Sequence, residues 1–279
     1  MVRMHQLIIG RLNRKRHIRQ PFTACKLLAT ALLAGNLAIS PASAQYVEPD
    51  DIAPFEVVYK VGNHLINAGT ARLQLSREGD LWSYSLSTEP RGILKLAGKG
   101  NISESSTIRF TEVDGELQFQ PQTYVYRQDN ERRRAVDAVF DWNARSVKHT
   151  YRGQETTNVF EQPIIDRLSA TLLMIDTLRK DDFEAAVIQV FDTGKIKNVA
   201  FTRQGSETLD TPLGKIETIK ILNKNAAGSS RETITWFAPS LDFVPVKIEQ
   251  RKRGDLVVRF NLLRLRNRVT DITLEASSD

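Results

Sequence analysis

The sequence predicts a mainly β protein: a curled antiparallel sheet, or open β-barrel-like domain, with one amphipathic helix packed on it. Three observations predict it. From Phe55 onward, short runs rich in Val, Ile, Thr and aromatics alternate apolar and polar residues. Turn signals punctuate them at hairpin spacing: Glu78-Gly79-Asp80, Asp114-Gly115, Arg152-Gly153, Thr193-Gly194, Pro212-Leu213-Gly214, Ala227-Gly228 and Gly254-Asp255. One segment departs from the two-residue period and repeats at three and four residues instead.

Taken in order, the first element is an export signal rather than part of the fold. Residues 1–44 hold seven Lys and Arg and no Asp or Glu; an apolar run from Leu27 to Ile39 follows the last of them, Lys26. Ser40-Pro41-Ala42-Ser43-Ala44 then places small residues where a signal peptidase reads them, so cleavage is expected after Ala44. The apolar run has 13 residues and carries Asn36, too short for the ~20 residues of a membrane span. No Arg-Arg pair precedes it, which points to Sec-type export into the periplasm, with the outer membrane as a further address. Phe22-Thr23-Ala24-Cys25 resembles a lipid-attachment box but lies before the apolar run, not after it.

The leader also accounts for the charge. The whole chain of 279 residues has a net charge of +6 and mean hydropathy of −0.32, whereas beyond Ala44 there are 32 basic and 33 acidic residues. That balance and the exported address disfavour nucleic acid. The 235 residues beyond Ala44 contain no cysteine. Thiol chemistry is thereby excluded, and the fold must hold by its core, for which the length suffices.

Residues 45–54 read as a flexible lead-in and 55–275 as one β-rich domain. In the C-terminal part Val244, Val246 and Ile248 face one way and Lys247, Glu249 and Arg251 the other; Leu256, Val258, Phe260 and Leu262 repeat the pattern. The helix is expected at about 164–179, from Ile164, Leu168, Leu172, Ile175 and Leu178, with Pro163 at its start. Asp166 would sit in its first turn and Arg179-Lys180 in its last, both matching the helix dipole. Its wide apolar face must be buried against a sheet, plugging an open barrel.

Sites of chemistry are few. His64 and His149 are the histidines beyond the leader and show no ligand spacing, so neither a metal nor another cofactor is expected. Ser169, His149 and Asp141 or Asp166 assemble a triad on paper, without the Gly-x-Ser-x-Gly elbow that presents a nucleophile. Asp50-Asp51 and Asp181-Asp182 are adjacent rather than opposed across a cleft. The basic clusters Arg132-Arg133-Arg134, Arg251-Lys252-Arg253 and Arg264, Arg266, Arg268 have two readings: contact with anionic headgroups, lipopolysaccharide or acidic polysaccharide, or a solvated sheet face with guarded edges, which the neutral balance favours.

Aromatics are the most suggestive group. Tyr59, Trp82, Phe110, Tyr124, Phe140, Trp142, Phe201 and Trp236 are the candidate ligand-binding residues, in strands beside Tyr84, Phe119, Tyr126 and Phe237. As core they need no explanation; lining a sheet that curls without closing, they would make an apolar groove for an acyl chain.

A set of ordered motifs runs through nearly the whole domain: Phe55-x-x-x-Tyr59, Gly69 with Leu73 and Leu75, Glu104-Ser105-Ser106, Pro121-x-x-Tyr124, Phe140-Asp141-Trp142, Asp166-Arg167-Leu168-Ser169, Thr211-Pro212-x-Gly214, Trp236-x-Ala238-Pro239 and Pro245-Val246. In this order they resemble the exported bacterial family of domain of unknown function 3108. The resemblance implies a signal peptide and a barrel-like envelope domain, and it carries no catalytic residue across. The expectation is a non-enzymatic envelope protein that binds a lipid or lipoprotein acyl chain. The alternatives are an envelope hydrolase acting on glycan or lipid, and an assembly partner of an outer-membrane complex that adds a strand at a sheet edge.

Overall fold

A computed structural model describes residues 45–46, 52–63, 65–92, 100–113, 116–180 and 182–268. The leader, Cys25, His64, Asp50-Asp51 and Asp181 lie outside the described residues. In chain order the strands are β1 (Gln45–Tyr46), β2 (Phe55–Gly62), β3 (Asn67–Glu78), β4 (Leu81–Pro90), β5 (Ile102–Val113), β6 (Glu116–Gln128), β7 (Val136–Asp141), β8 (Ser146–Tyr151), β9 (Gln154–Val159) and β10 (Ile165–Asp166). The helix α1 (Ser169–Lys180) follows, then β11 (Ala185–Asp192), β12 (Lys195–Thr211), β13 (Gly214–Asn225), β14 (Arg231–Ala238), β15 (Val244–Lys252) and β16 (Asp255–Arg266).

All of them join one sheet in the order β10-β11-β12-β13-β14-β15-β16-β2-β3-β4-β5-β6-β7-β8-β9, with β1 added beside β5. Every pairing is antiparallel except β10 with β11. The sheet is open and mainly hairpin-built, as the turn spacing predicts. Arg152-Gly153, Thr193-Gly194 and Arg253-Gly254 close their hairpins with both residues at positive φ, the geometry whose twist suits a two-residue hairpin.

The inner face is written in rows across the strands. One row, each residue paired with the next, is Phe55, Leu75, Tyr84, Ser106, Tyr124, Ala138 and His149; all seven are buried. The sheet rolls far enough for its two ends to overlap. Phe191 of β11 sits edge-on to Tyr124 at 6.2 Å, Phe140 at 5.8 Å and His149 at 5.2 Å, all on β6–β8 near the other end. Among the described residues no hydrogen-bonded ladder closes the roll; contacts through its middle do.

Eight of the twelve residues of α1 are buried, the pattern of a helix surrounded by apolar neighbours rather than lying on a surface. It begins five residues later than its apolar period predicts. Ile165 and Asp166 pair with Val190 and Phe191 of β11 instead, and the Asp166 side-chain Oδ1 accepts from the Leu168 and Ser169 backbone N–H groups, both at 2.9 Å. That side-chain turn competes with helical geometry and delays the first helical residue to Ser169. Arg179 and Lys180 do occupy the last turn. Among the described residues no helix is long and apolar enough to cross a membrane.

Candidate functional site

The eight candidate aromatics stand in the walls, seven of them buried and Trp142 half-buried. Trp82 meets Phe110 edge-on at 5.6 Å and Phe110 meets Phe119 at 4.8 Å. Tyr59 packs on Phe260 and donates its hydroxyl to the Pro245 carbonyl at 2.7 Å, stitching β2 to β15. Trp142 donates to the Pro121 carbonyl at 2.8 Å. Trp236 lies against Lys247 and Lys220 on its neighbouring strands, at 4.1 and 5.2 Å, and donates to Glu207. Phe201 is buried on β12. These rings belong to the hydrophobic core or pack against it, and they are shared among several separate contacts.

What the fold does bring together is a buried polar cluster formed by two motifs noted in the sequence, Glu104-Ser105-Ser106 on β5 and Asp166-Arg167-Leu168-Ser169 leading into α1. Ser106 Oγ lies 2.6 Å from Asp166 Oδ2, Ser169 Oγ lies 2.5 Å from the same oxygen, and the two hydroxyls are 2.7 Å apart. Three close oxygens have three sides to bridge, and two hydroxyl protons serve only two. The third proton comes from the carboxyl itself, so the triangle fits Asp166 as the neutral acid. Burial pushes the Asp166 carboxyl above its usual value, opposed by the hydrogen bonds from Ser106 and Ser169, and the nearby Glu104 charge adds to the rise.

One row toward the mouth of the roll, Arg167 grips Glu104 with both arms, Nε to Oε1 at 3.1 Å and Nη2 to Oε2 at 2.6 Å, while Tyr124 donates to Oε1 at 2.9 Å. Arg167 also reaches Asp192 at 3.5 Å, which Lys197 holds at 2.7 Å, and it lies 5.3 Å above the Tyr126 ring. The cluster joins the β10–α1 junction to the β5–β6 wall. Asp166 and Ser169 of the paper triad do meet, but the third position beside them is Ser106. His149 is buried against Phe191 and Gly194 with Nδ1 unpartnered among the described residues, and Asp141 accepts from Ala144 in the β7–β8 turn.

Beyond Tyr126 the mouth opens. Glu131, Arg133 and Arg134 of the β6–β7 turn and Arg152 of the β8–β9 turn line a concavity of about 390 Å³. A second concavity, about 230 Å³, lies between β16 and the β2–β3 turn, lined by Lys60, Asn63, Leu65, Ile66, Arg259 and Asn261 among others. None of the eight aromatics lines either. Sequence reasoning named Arg132-Arg133-Arg134 as a cluster but missed Arg152, Arg167 and Glu104. The signal for Glu104 and Arg167 was the grouping of charge with serine in two short motifs, and Arg152 was visible only as part of the Arg152-Gly153 turn.

Both halves of the buried cluster, and the strands that carry the mouth, fall within the match to one family model. The model, described as a protein of unknown function (DUF3108), covers residues 54–260. The chain belongs to the DUF3108 family. No curated protein sequence matches it. Among solved structures, a β-barrel-like DUF1849 protein from Brucella abortus is similar at 10% identity and TM-score 0.47, over 77% of this chain and 98% of that one. A candidate lipoprotein from Parabacteroides distasonis aligns at 12% identity and TM-score 0.30, over 80% and 100%. A candidate exported protein with a YmcC-like fold from Bacteroides fragilis aligns at 9% identity and TM-score 0.28, also over 80% and 100%.

Proposed function

We propose that this DUF3108 chain is an exported, non-enzymatic envelope protein that binds the anionic head of an amphipathic ligand at the mouth of its rolled sheet. One observation carries the reading. Arg133, Arg134 and Arg152 surround a concavity with Glu131 as its single carboxylate, and none of the three makes an ion pair among the described residues. A planar guanidinium that is not already paired is well suited to bidentate phosphate or carboxylate recognition. The periplasmic address rests on the leader in residues 1–44. The expected acyl chain remains the apolar part of such a ligand, but with its head at the rim rather than its tail among the eight aromatics, which line neither concavity.

The hydrolase alternative gains nothing from the buried serines, since Ser106 and Ser169 face Asp166 rather than either concavity. The assembly alternative has one feature in its favour: β9 is an outer edge strand whose residues are exposed apart from half-buried Asn158. Such an edge can accept an added strand.

The test is calorimetric titration with monomeric short-chain phosphatidylglycerol and, in parallel, short-chain phosphatidylcholine. Saturable binding of the first, weakened at least tenfold in R133S/R134S/R152S, supports the reading. Equal binding of both lipids, or binding that the triple variant leaves intact, overturns it.

A further inference from the structure

Antiparallel hairpins deliver successive turns alternately to the two ends of a sheet, so the topology sorts the turn residues into two sets. At the mouth, the described turn residues include Arg91, Arg132, Arg133, Arg134, Arg152 and Arg253 against only Asp129 and Glu131. At the opposite end they include Asp80, Glu161, Asp182, Glu184 and Asp242 against Arg145 and Arg268. The chain beyond its leader is near neutral, so the asymmetry is one of placement.

The two ends also differ in compensation. At the opposite end Asp80 pairs with Arg109, Asp182 with Arg203, and Asp242 with both Arg179 and Arg268. At the mouth none of the six arginines makes an ion pair among the described residues. Two of them, Arg152 and Arg253, stand at φ of 55° on hairpin tips, a left-handed position that Asn or Gly adopts at lower cost.

An apolar tip stands among these charges. In the β2–β3 turn Asn63 Oδ1 accepts from the Leu65 and Ile66 N–H groups at 2.9 and 3.0 Å, and Asn63 N donates to the Ile66 carbonyl at 3.0 Å. Tied in this way, the turn leaves Leu65 91% exposed and Ile66 38% exposed, beside Lys60 and Arg259. Seven inter-strand steps separate the β15–β16 turn from β8, about 34 Å of arc at ~4.8 Å per step. That span is far larger than one soluble headgroup.

We infer that this whole end of the roll is a docking face for the surface of an anionic lipid bilayer, with Leu65 and Ile66 entering the interfacial layer. Charge complementarity supplies attraction from a distance, and the apolar tip supplies contact once there. The inference deepens the proposed function, since Arg133, Arg134 and Arg152 belong to both, but it adds a surface that a lone headgroup site does not need.

The test is co-sedimentation of the full chain, purified without detergent, with vesicles of phosphatidylcholine alone or with a minority of phosphatidylglycerol. The docking face requires binding that depends on phosphatidylglycerol and weakens with salt, as charges beyond a screening length of ~10 Å decouple. R132S/R133S/R134S lowers it at least tenfold, L65S/I66S several-fold, and R145S at the opposite end leaves it unchanged. Because every variant shares the same N-terminal segment, only the differences between them are read, with near-UV circular dichroism confirming the fold. Equal binding to both vesicles, indifference to L65S/I66S, an equal loss in R145S, or full competition by inorganic phosphate at constant ionic strength overturns the docking face. Short-chain phosphatidylglycerol binding without vesicle binding sinks this inference and leaves the proposed function standing; the reverse result sinks the headgroup site and leaves the docking face.

Discussion

Replacing Asp166 by Ala removes the acceptor at the centre of the buried cluster. Two backbone N–H groups, of Leu168 and Ser169, lose their 2.9 Å partner, and both serine hydroxyls lose the carboxyl while keeping each other at 2.7 Å. Leaving a buried donor unsatisfied costs about 1–3 kcal/mol, and loss of a capping side chain about 1 kcal/mol. Because the two serines re-pair, the expected total is about 3–5 kcal/mol, a large share of the ~5–15 kcal/mol that holds a domain together. Asp166→Asn is the decisive companion. Its carbonyl can accept from the same two N–H groups and its amide can donate to the serines, as the neutral acid does, so it should cost no more than about 1.5 kcal/mol. Urea unfolding followed by tryptophan fluorescence reads both. The pH dependence adds a second check. The folded carboxyl binds its proton more tightly than the unfolded one, because burial outweighs the serine hydrogen bonds. Stability from this group is therefore fullest below the ordinary carboxylate value and declines as pH rises through the higher folded one. Asn removes that decline. An Ala variant within 1 kcal/mol of wild type, or an Asn variant as damaged as Ala, would refute the neutral-acid triangle.

Three further outcomes follow from the same geometry. Burial pushes the Glu249 carboxyl up, but hydrogen bonds from Arg251 and Arg259 and the charge of Lys247 bring it below its usual value; its stabilisation is present above the ordinary carboxylate range and lost as pH falls through the lowered one, so Glu249→Gln should cost about 1–2 kcal/mol at neutral pH and blunt acid unfolding in a pH-jump series. Gly69 stands at φ of 139°, and a Cβ there would lie 2.0 Å from the Glu89 carbonyl oxygen, so Gly69→Ala should lose about 2–4 kcal/mol in denaturant unfolding because backbone must move. Leu172 of α1 is fully buried, and Leu172→Ala should lower stability by about 2–5 kcal/mol through the cavity it leaves, read from the thermal midpoint.

The strands and their hairpins were legible because alternation and Gly-marked turns are local signals, as Leu256, Val258, Phe260 and Leu262 on β16 show; on β15 an irregularity opposite Trp236–Phe237 breaks the expected alternation and Glu249, expected on the wet face, is buried. The start of α1 was not. Ile164 and Leu168 keep helical spacing, yet the ladder to Val190–Phe191 and the Asp166 side-chain turn occupy the same backbone; a tertiary pairing overrode a local period. The buried cluster was half legible. Its members were visible as two motifs 60 residues apart, but only the roll of the sheet sets Ser106 under Asp166 and Glu104 under Arg167. The candidate aromatics were legible as buried residues, whereas their individual partners, Phe110 for Trp82 and Phe260 for Tyr59, follow from strand order and register that no spacing in the sequence states. The sorting of charge is different in kind: it was present in the turn residues throughout and became readable once hairpin order assigned each turn to an end.

The buried cluster also explains how an unclosed roll keeps one geometry. A barrel fixes its shape with a continuous ladder, whereas here the overlapping ends meet through side chains. An apolar helix among apolar walls has several depths of similar packing, since aliphatic contact is not directional. The polar groups are directional. Sliding α1 together with its β10 lead-in by one helical turn, about 5.4 Å, would break the β10–β11 pairing and carry Asp166 away from Ser106 and Arg167 away from Glu104, which is buried at 6% exposure. Stranding a buried charge costs about 3–5 kcal/mol; Arg167 keeps some access to water, which lowers its own share, but Glu104 has little. Specificity of depth, more than net stability, is therefore what the Glu104–Arg167 pair contributes. Arg167 also covers Tyr126, whose strand leads directly into the Glu131–Arg134 turn, so the buried cluster and the arginines of the mouth are carried by the same wall.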